Sequence, residues 1–593
     1  MLTLNGALNF ESVYRKAPYF RDVMKRFSKD GRKKANNEKR EVVATKNNLR
    51  FAKGVGRLIY HNLGTTDVDA TITDIDGQPI NGSVSIVDKN RIRFTADDDY
   101  EGCTAVITGK KDVNDSPLLV ATDYLAMALM SVRNISVTYK NQRSNTLTGY
   151  RPDTKVFGSN YTDGMITPGI DYLMALNDDD FHLYAADKGW LLQDSTLADP
   201  VMYTKGNSIG VRVALEPINT FRIDVNFDRS IVYNTEEFFA YATDIDGWQT
   251  SSRVKHGNFR ISYNMIKTAF HKVGDDYSLD TYNKFLTNRE IIAERQAERR
   301  MGLKNYDPTP QVDAGGNLLY GNYPNGYSKT HQDVLLPAFL SAYAGTSAHK
   351  IRLDPFLKMP LPNWRINYRG LGNIPLLKNV VRSAMLTHAY TSSYSITNFK
   401  NNAEYSFDDE YNWGRSFARY EANNLFIPQY EIAAVTLDEK FAPLAGIDIS
   451  WVNLMSTKFE YRRTRQITLG FANSQISEMY RKEWIIGVGY KFAQLPLNIR
   501  TSGGSNRFKS DLDLRADFVI DDDKTIIREI ENLYDQISAG QTSFSIKSTA
   551  DYRLSERFKV QLYYNHQITN PIISTSYRTS NIKFGFSITM SLD

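Results

Sequence analysis

Residues 582–592 read IKFGFSITMSL, and every even position is apolar: Ile582, Phe584, Phe586, Ile588, Met590 and Leu592. Lys583, Gly585, Ser587, Thr589 and Ser591 stand between them. A strand sends successive side chains to opposite faces, so this segment has one oily face and one polar or small face. The pattern recurs upstream. Trp484, Ile486, Val488, Tyr490 and Phe492 alternate with Glu483, Gly487, Gly489 and Lys491, with Ile485 the exception. Leu512, Leu514, Ala516, Phe518 and Ile520 alternate with Asp511, Asp513, Arg515 and Asp517. Phe544, Ile546, Ala550 and Tyr552 oppose Ser543, Ser545, Lys547 and Asp551; Phe558, Val560, Leu562 and Tyr564 oppose Arg557, Lys559, Gln561 and Asn565. The link 553–556 is short, as antiparallel neighbours require.

The same grammar runs through 208–228, where Ile209, Val211, Val213, Leu215, Phe221, Ile223, Val225 and Phe227 share one parity around a turn at 216–219. Further strands are expected near 132–141, 256–266, 363–369, 386–399, 427–438 and 445–472, for roughly a dozen to fifteen in all. A continuous oily face backed by a charged one fits lipid on one side and a wet lumen on the other. The fold class is therefore all-β, an antiparallel transmembrane β-barrel segment with helical and small β insertions. Its lipid-facing residues are Trp484, Ile486, Val488, Tyr490, Phe492, Leu512, Leu514, Phe518, Phe544, Ile546, Phe558, Val560, Leu562, Phe584, Phe586, Ile588 and Met590.

Mean hydropathy is −0.43. No run of 18 apolar residues occurs, and Asp123 interrupts the most apolar stretch, Leu118 to Val132, so a helical membrane span is excluded. The 36 Tyr and 30 Phe suit aromatic girdles at two membrane interfaces. A net charge of +5 gives no argument for nucleic acid. The one dense basic run, 25–40, is expected to be a solvated loop, with an anionic-lipid or partner contact as the alternative. A single cysteine, Cys103, excludes an internal disulfide framework and is expected to be a small buried apolar residue. The opening residues have no basic and apolar leader, so the expectation is a trimmed mature chain or the C-terminal part of something longer, and the strand pattern at 2–13 favours the second.

The chain divides into a barrel strand at 1–24, a basic linker or helical insertion at 25–65, a small β-module at 66–110, barrel strands with loops at 111–270, a helical and loop insertion at 271–360, and C-terminal barrel strands at 361–593. Helices are expected over 278–301, with Thr287 and Glu290 as a capping box and Gly302 as the stop, and over 331–345 and 524–537. They are expected to line the lumen, to sit in the periplasm, or to cap loops.

Signals for chemistry are weak. The eight histidines form no His-Glu-x-x-His pair, and there is no Gly-x-Ser-x-Gly elbow. Gly102 to Lys110 is too long for a phosphate loop, and Lys111 stands where Ser or Thr is required. Asp74, Asp76 and Gly77 resemble the start of a calcium loop, but Ser85 occupies the position of its distal Glu, so a plain turn is expected. The Asp triplets 97–99, 178–180 and 521–523 are expected to be solvated loop tips. No catalytic residue, cofactor or metal is expected.

Several blocks resemble the C-terminal part of the SprA/Sov family, the giant outer-membrane translocon of the type IX secretion system in Bacteroidetes. They are LAMALMSVRNISVTY (125–139), DVLLPAFLSAYAG (333–345), PLPNWRINYRGL (360–371), KFEYRRTRQITLGFANSQISEM (458–479), EWIIGVGYKF (483–492) and ISTSYRTSNIKFGFSITMSL (573–592). Residues 2–24 resemble a preceding family strand, and Pro360, Pro362, Asn363 and Trp364 carry the family signature. The resemblance implies part of a very large barrel of about 36 strands. It implies a bacterial outer-membrane pore that conducts folded cargo to the cell surface in type IX secretion and gliding motility. Its implied partners are secreted cargo proteins, a small outer-membrane barrel that shuttles them, a periplasmic plug protein, and membrane lipid or lipopolysaccharide. Family members are several times longer and begin with a signal sequence, and the last residue here, Asp593, is not the aromatic that commonly ends a barrel. The rival readings are an outer-membrane porin or transporter barrel that closes on its own strands, and a soluble secreted β-rich adhesion protein.

Overall fold

The structure is a computed structural model describing residues 2–27, 39–112, 122, 125–126, 129–155, 159–162, 165–197, 199–274, 277, 279–405, 416–501, 504–532, 534–554, 558–573 and 576–590. Most of the basic run 25–40, much of the apolar stretch 118–132 and Leu592 lie outside the described residues. In chain order the strands are β1 (Leu2–Asn9), β2 (Lys39–Phe51), β3 (Gly56–Tyr60), β4 (Val68–Thr73), β5 (Gly82–Asp88), β6 (Arg91–Ala96), β7 (Tyr100–Asp112), β8 (Val132–Thr146), β9 (Asn160–Thr162), β10 (Met165–Thr167), β11 (Val201–Ile218) and β12 (Phe221–Ala242). They continue as β13 (Gly247–Ser262), β14 (Asn363–Tyr368), β15 (Val381–Asn401), β16 (Tyr430–Glu431), β17 (Ala434–Trp451), β18 (Met455–Gly470), β19 (Gln475–Thr501), β20 (Gly504–Glu529), β21 (Tyr534–Arg553), β22 (Phe558–Pro571) and β23 (Thr579–Met590). The helices are α1 (Phe10–Lys16), α2 (Pro18–Phe27), α3 (Ile170–Leu173), α4 (Phe181–Asp187), α5 (Asp280–Glu298) and α6 (Gln332–Ala344).

Two compact units are present, one formed by Asn9–Asn134 and the other by the remainder. The smaller unit holds two three-stranded sheets, β2-β7-β4 and β3-β6-β5. Their facing side chains bury Phe51, Ile59, Ile72, Ile92, Phe94 and Cys103. The module therefore begins near residue 39, and the stretch expected as a linker or helical insertion supplies β2 and β3. Asp74 accepts from the backbone N–H of Asp76 and of Gln78 (3.0 and 2.8 Å) around Gly77 at φ +82°, which makes this segment an Asx turn. The triplet 97–99 is not merely solvated: Asp99 accepts from the Lys53 N–H and Asp98 pairs with its ammonium. The first strand ends sooner than expected, because the Asn9 side chain accepts from Glu11 N–H (3.0 Å) and starts α1. Tyr14 and Val23 of α1 and α2 pack with Ala126 and Met130.

The larger unit is built on one fifteen-stranded sheet, ordered β1-β8-β11-β12-β13-β15-β17-β18-β19-β20-β21-β22-β23, with β14 and β16 beside that path. The all-β antiparallel class expected from the alternation is the class found. The strand expected over 445–472 is two strands, β17 and β18, turned at 452–454. The helix expected over 524–537 is the end of β20, a turn, and the start of β21. A bulge between Thr525 and Ile526 sets Ile526 opposite Ile537 and Arg528 opposite Asp535. That hairpin brings Ile526 and Ile537 together, while Ile527 turns to the other face opposite Gln536.

One slot in the sheet is filled twice. β13 pairs with β12 and β15 at one end of the slot, and β14 pairs with the same two strands at the other. Between Ser262 and Asn363 the chain leaves the sheet and builds α5 and α6. α5 starts at Asp280, so Thr287 is not a cap; its hydroxyl donates to the Asn283 carbonyl inside the helix. Gly345, at φ +66°, terminates α6 with a left-handed C-cap. α6 is buried along Val334–Ala344 against Ile396, Leu437, Ile467, Leu469 and Ile476 of the sheet.

At the edge of this contact the sheet carries buried charge. Glu478 and Arg528, both fully buried, meet at 2.9 Å, and Arg528 also binds Asp535 and the Tyr277 carbonyl. Tyr480 donates to Glu478 at 3.0 Å, and Tyr343 of α6 donates to its other oxygen. Burial pushes the Tyr343 hydroxyl well above the usual tyrosine range, so it remains a donor. Glu439 and Arg465 form a second buried pair at 3.1 Å, closed by Tyr390 and by the carbonyl and hydroxyl of Thr268. Removing one partner strands the other charge. Arg528→Met is expected to cost about 3–5 kcal/mol in denaturant unfolding, and adding Glu478→Gln should recover part of that loss.

Candidate functional site

The two faces of the sheet differ in kind. From β18 to β23 the register brings the apolar positions into continuous cross-strand rows. Tyr461, Trp484, Ile520, Phe544 and Ile568 form one row; Phe459, Ile486, Phe518, Ile546, His566 and Ile582 form the next. Later rows carry Val488, Tyr490, Phe492, Leu512, Leu514, Leu562, Phe584, Phe586 and Ile588. Trp484, Ile486, Val488, Tyr490, Phe492, Leu514, Phe518, Phe544, Phe558, Leu562, Phe584, Phe586, Ile588 and Met590 are all exposed; Leu512, Ile546 and Val560 are half-exposed. No Asp, Glu, Lys or Arg stands on this face between the rows of Trp484 and Phe492 in β18 to β23. Sequence reasoning left Phe459, Tyr461 and Ile582 out of this set, although the same parity places them in it.

The opposite face is polar and more enclosed. Phe544 is 40% exposed while its neighbours Ser543 and Ser545 are 6% and 9% exposed. Charges on this face interleave and pair across strands, Arg481 with Asp521 through two 2.8 Å bonds, Arg462 with Glu483 (3.2 Å), Lys491 with Asp511 (2.8 Å) and Lys559 with Asp551 (2.9 Å), and along β18, Lys458 with Glu460 (2.9 Å). Asp521 of the third Asp triplet is thus part of a strand lattice. A groove of about 630 Å³ crosses the same face, lined by Thr3, Asn5, Ser136, Ser208, Arg212 and Arg260.

α5 and α6 lie on the apolar face. β18 and β19 pair without a bulge, so Ile467 and Leu469 under α6 share a face with Tyr461 and Phe459 in the bare rows. Protein therefore covers one end of the apolar face, and nothing described covers the other.

The segment 360–364 is where the inserted chain rejoins the sheet. The Ser262 hydroxyl donates to the Leu361 carbonyl (2.7 Å), and Leu361 N–H donates to the Ser262 carbonyl (2.9 Å). Asn363 accepts from the buried Ser392 N–H at 2.7 Å, which bridges the gap between β13 and β14. Pro360 and Pro362 are half-buried and carry the chain into this joint. Trp364 stacks on Tyr390 (4.6 Å between ring centres, 26° between planes), and Tyr390 contacts Phe441 (4.9 Å). Among the described residues, no group of three or more His, Cys, Asp or Glu could hold a metal ion. No described helix is long and apolar enough to cross a membrane.

No protein-family model matches the chain, and no curated protein matches it. Among solved structures it is similar to the RagAB peptide transporter, at 7% identity over 74% of this chain and 44% of that one, with a TM-score of 0.22. It is also similar to OmpT, an outer membrane protein of Vibrio cholerae, at 8% identity over 77% of this chain and 95% of that one, with a TM-score of 0.17. The chain spans less than half the length of the RagAB chain it matches. Scores this low carry no argument; the geometry of the sheet does.

Asn363→Ala leaves the buried Ser392 N–H without its acceptor and is expected to cost about 1–3 kcal/mol. Asn363→Asp keeps an acceptor oxygen and should cost less. Denaturant unfolding of the two variants side by side checks this.

Proposed function

We propose that the large sheet stands in the bacterial outer membrane and that its polar face lines a water-filled passage for secreted proteins. The observation that carries this is the inversion: large apolar side chains face outward along whole rows, while serines between them are buried on the other side. In water, each fully exposed Phe, Leu or Ile forgoes roughly 1.5–3 kcal/mol of burial, and an apolar surface of this extent marks an interaction face. Hydrocarbon removes that penalty. The run Trp484–Phe492 has the length of a membrane-crossing strand, about 9–11 residues. Aromatic residues stand at one end (Tyr461, Trp484) and again at the other (Tyr490, Phe492), which suits the two girdles of a barrel.

The substrate class comes from the resemblance to the SprA/Sov family. On that reading the wall belongs to the type IX translocon and does no chemistry on its cargo. It shields polar polypeptide from hydrocarbon, where each unsatisfied backbone group costs several kcal/mol. β1 and β23 are the two edges of the sheet, and in β23 Phe584 and Phe586 are 72% and 68% exposed. A bilayer tolerates no bare strand edge, so these edges are where the wall is continued, closed, or met by the shuttle barrel or the periplasmic plug.

Ile485 and Ile486 make a sharp test, because adjacent identical residues face opposite solvents. Ile486→Arg is expected to destabilise the bilayer-inserted protein by about 2–4 kcal/mol, and Ile485→Arg by much less; equal costs would sink the membrane assignment. In cells, deletion of 573–593 should abolish surface display of cargo, and normal display would count against the translocon role.

A further inference from the structure

The apolar face has a sharp rim, and the chemistry of the rim points to a ligand. One cross-strand row runs Trp364, Tyr390, Phe441, Arg463, Lys482 across β14, β15, β17, β18 and β19. On one side of it lies the bare apolar surface, beginning with Tyr461 stacked on Trp484 at 4.1 Å. On the other side lie the buried pairs Glu439–Arg465 and Glu478–Arg528 and then α6.

The cations of this region divide into two groups. Arg465 and Arg528, one step deeper under the helices, are each ion-paired with a carboxylate, and Lys458, Arg462 and Arg481 on the polar face are paired as well. Arg463 and Lys482 make no ion pair within 4 Å among the described residues. Arg463 is half-buried, with its guanidinium 5.0 Å from the centre of the exposed Phe270 ring. Lys482 is exposed. Asp522, the cross-strand neighbour of Lys482, accepts instead from the Thr542 hydroxyl at 3.1 Å. Two adjacent cations that close no ion pair within 4 Å among the described residues, bounded by aromatic rings where an apolar surface ends, present donors to an anion arriving from outside the protein.

We propose that Arg463 and Lys482 bind the phosphate of a membrane lipid headgroup, with its acyl chains lying on the rows that start at Tyr461 and Trp484. This rests on the membrane reading and adds to it a defined site and a defined depth: the bilayer surface falls on the Arg463–Lys482 row, and α5 and α6 stand outside the hydrocarbon. The guanidinium and ammonium supply the charge-assisted hydrogen bonds, and the Phe270 ring keeps the guanidinium beside the acyl region.

The test uses the full chain in phosphatidylcholine nanodiscs doped with brominated phosphatidylglycerol or brominated phosphatidylcholine, with tryptophan quenching as the readout. Quenching by both brominated lipids reports that the apolar face meets hydrocarbon; absence of quenching overturns the membrane reading and this site with it. Given quenching, wild-type protein should prefer the anionic lipid on the order of fivefold per cation. Arg463→Gln with Lys482→Gln should abolish the preference without changing the quenching by phosphatidylcholine. Lys482→Gln alone, a change at an exposed residue, should reduce it by about half on a logarithmic scale. An unchanged preference in the double variant refutes the site, and so does full competition by millimolar inorganic phosphate, which would make it a site for free anion.

Discussion

Parity is the constraint on which the sheet depends. Each strand from β18 to β23 must keep its apolar side chains on one face, and a slip of one residue would exchange the two faces entirely. The register responds to this. β18 pairs with β19 without interruption from Met455–Tyr490 to Gly470–Gln475. Within β18 to β23 the irregularities fall outside the bare rows, between Thr525 and Ile526 on one side and between Phe492 and Leu495 on the other. Bulges bend strands and re-aim side chains. They are tolerated where the surroundings of the sheet change and are absent where one apolar face must run on from strand to strand.

The inserted chain obeys the same constraint from the other direction. It leaves β13 at Ser262 and returns at Asn363, close to the row of Trp364 and Tyr390. On the proposed reading this is the first level at which a loop can leave the sheet without carrying backbone polar groups into hydrocarbon. The buried pairs Glu439–Arg465 and Glu478–Arg528 lie beyond that level, where α6 and the loop after β13 supply the remaining hydrogen bonds. Charges there are costly unless fully partnered, and each has partners. The same face is thus apolar and bare, then basic and aromatic, then charged and covered, in the order of decreasing tolerance for water-free surroundings.

How much of this was legible in the sequence depended on the range of the interaction. The strands of 483–592 were legible because one face meets a uniform surrounding, so each residue's type reports its own side. Ile485 breaks the alternation because its neighbours on the polar face include Val519, its partner in β20. Residues 524–537 were misread as a helix because the surroundings change within the segment: Ile526 and Arg528 pack under protein, and the turn folds Ile537 back onto Ile526. The joint at 360–364 stood out only by resemblance, since its role depends on Ser262 and Ser392, which are distant in sequence. Nor could spacing reveal that β13 and β14 share a slot. Lys482 carried a local signal, a cation beside Glu483 and Trp484, but that its cross-strand neighbour Asp522 bonds Thr542 instead shows only in the folded sheet.

The polar face raises a question of adhesion. On the proposed reading, a passage for many different polypeptides must stay wet without holding any one of them, and exposed cations or carboxylates in bulk would bind cargo of opposite sign. Pairing across strands resolves this. Arg481 with Asp521, Lys491 with Asp511 and Lys559 with Asp551 each satisfy one another at 2.8–2.9 Å, so the wall is hydrated yet nearly neutral at the scale of a passing chain. Such exposed pairs contribute little stability, about 0–1 kcal/mol each, so stability alone does not account for so many. Their arrangement is better explained by what they do to the passage. On the proposed reading these pairs keep much of the passage wall wet and locally neutral, while Arg463 and Lys482, without an ion pair among the described residues, stand at the rim of the opposite face.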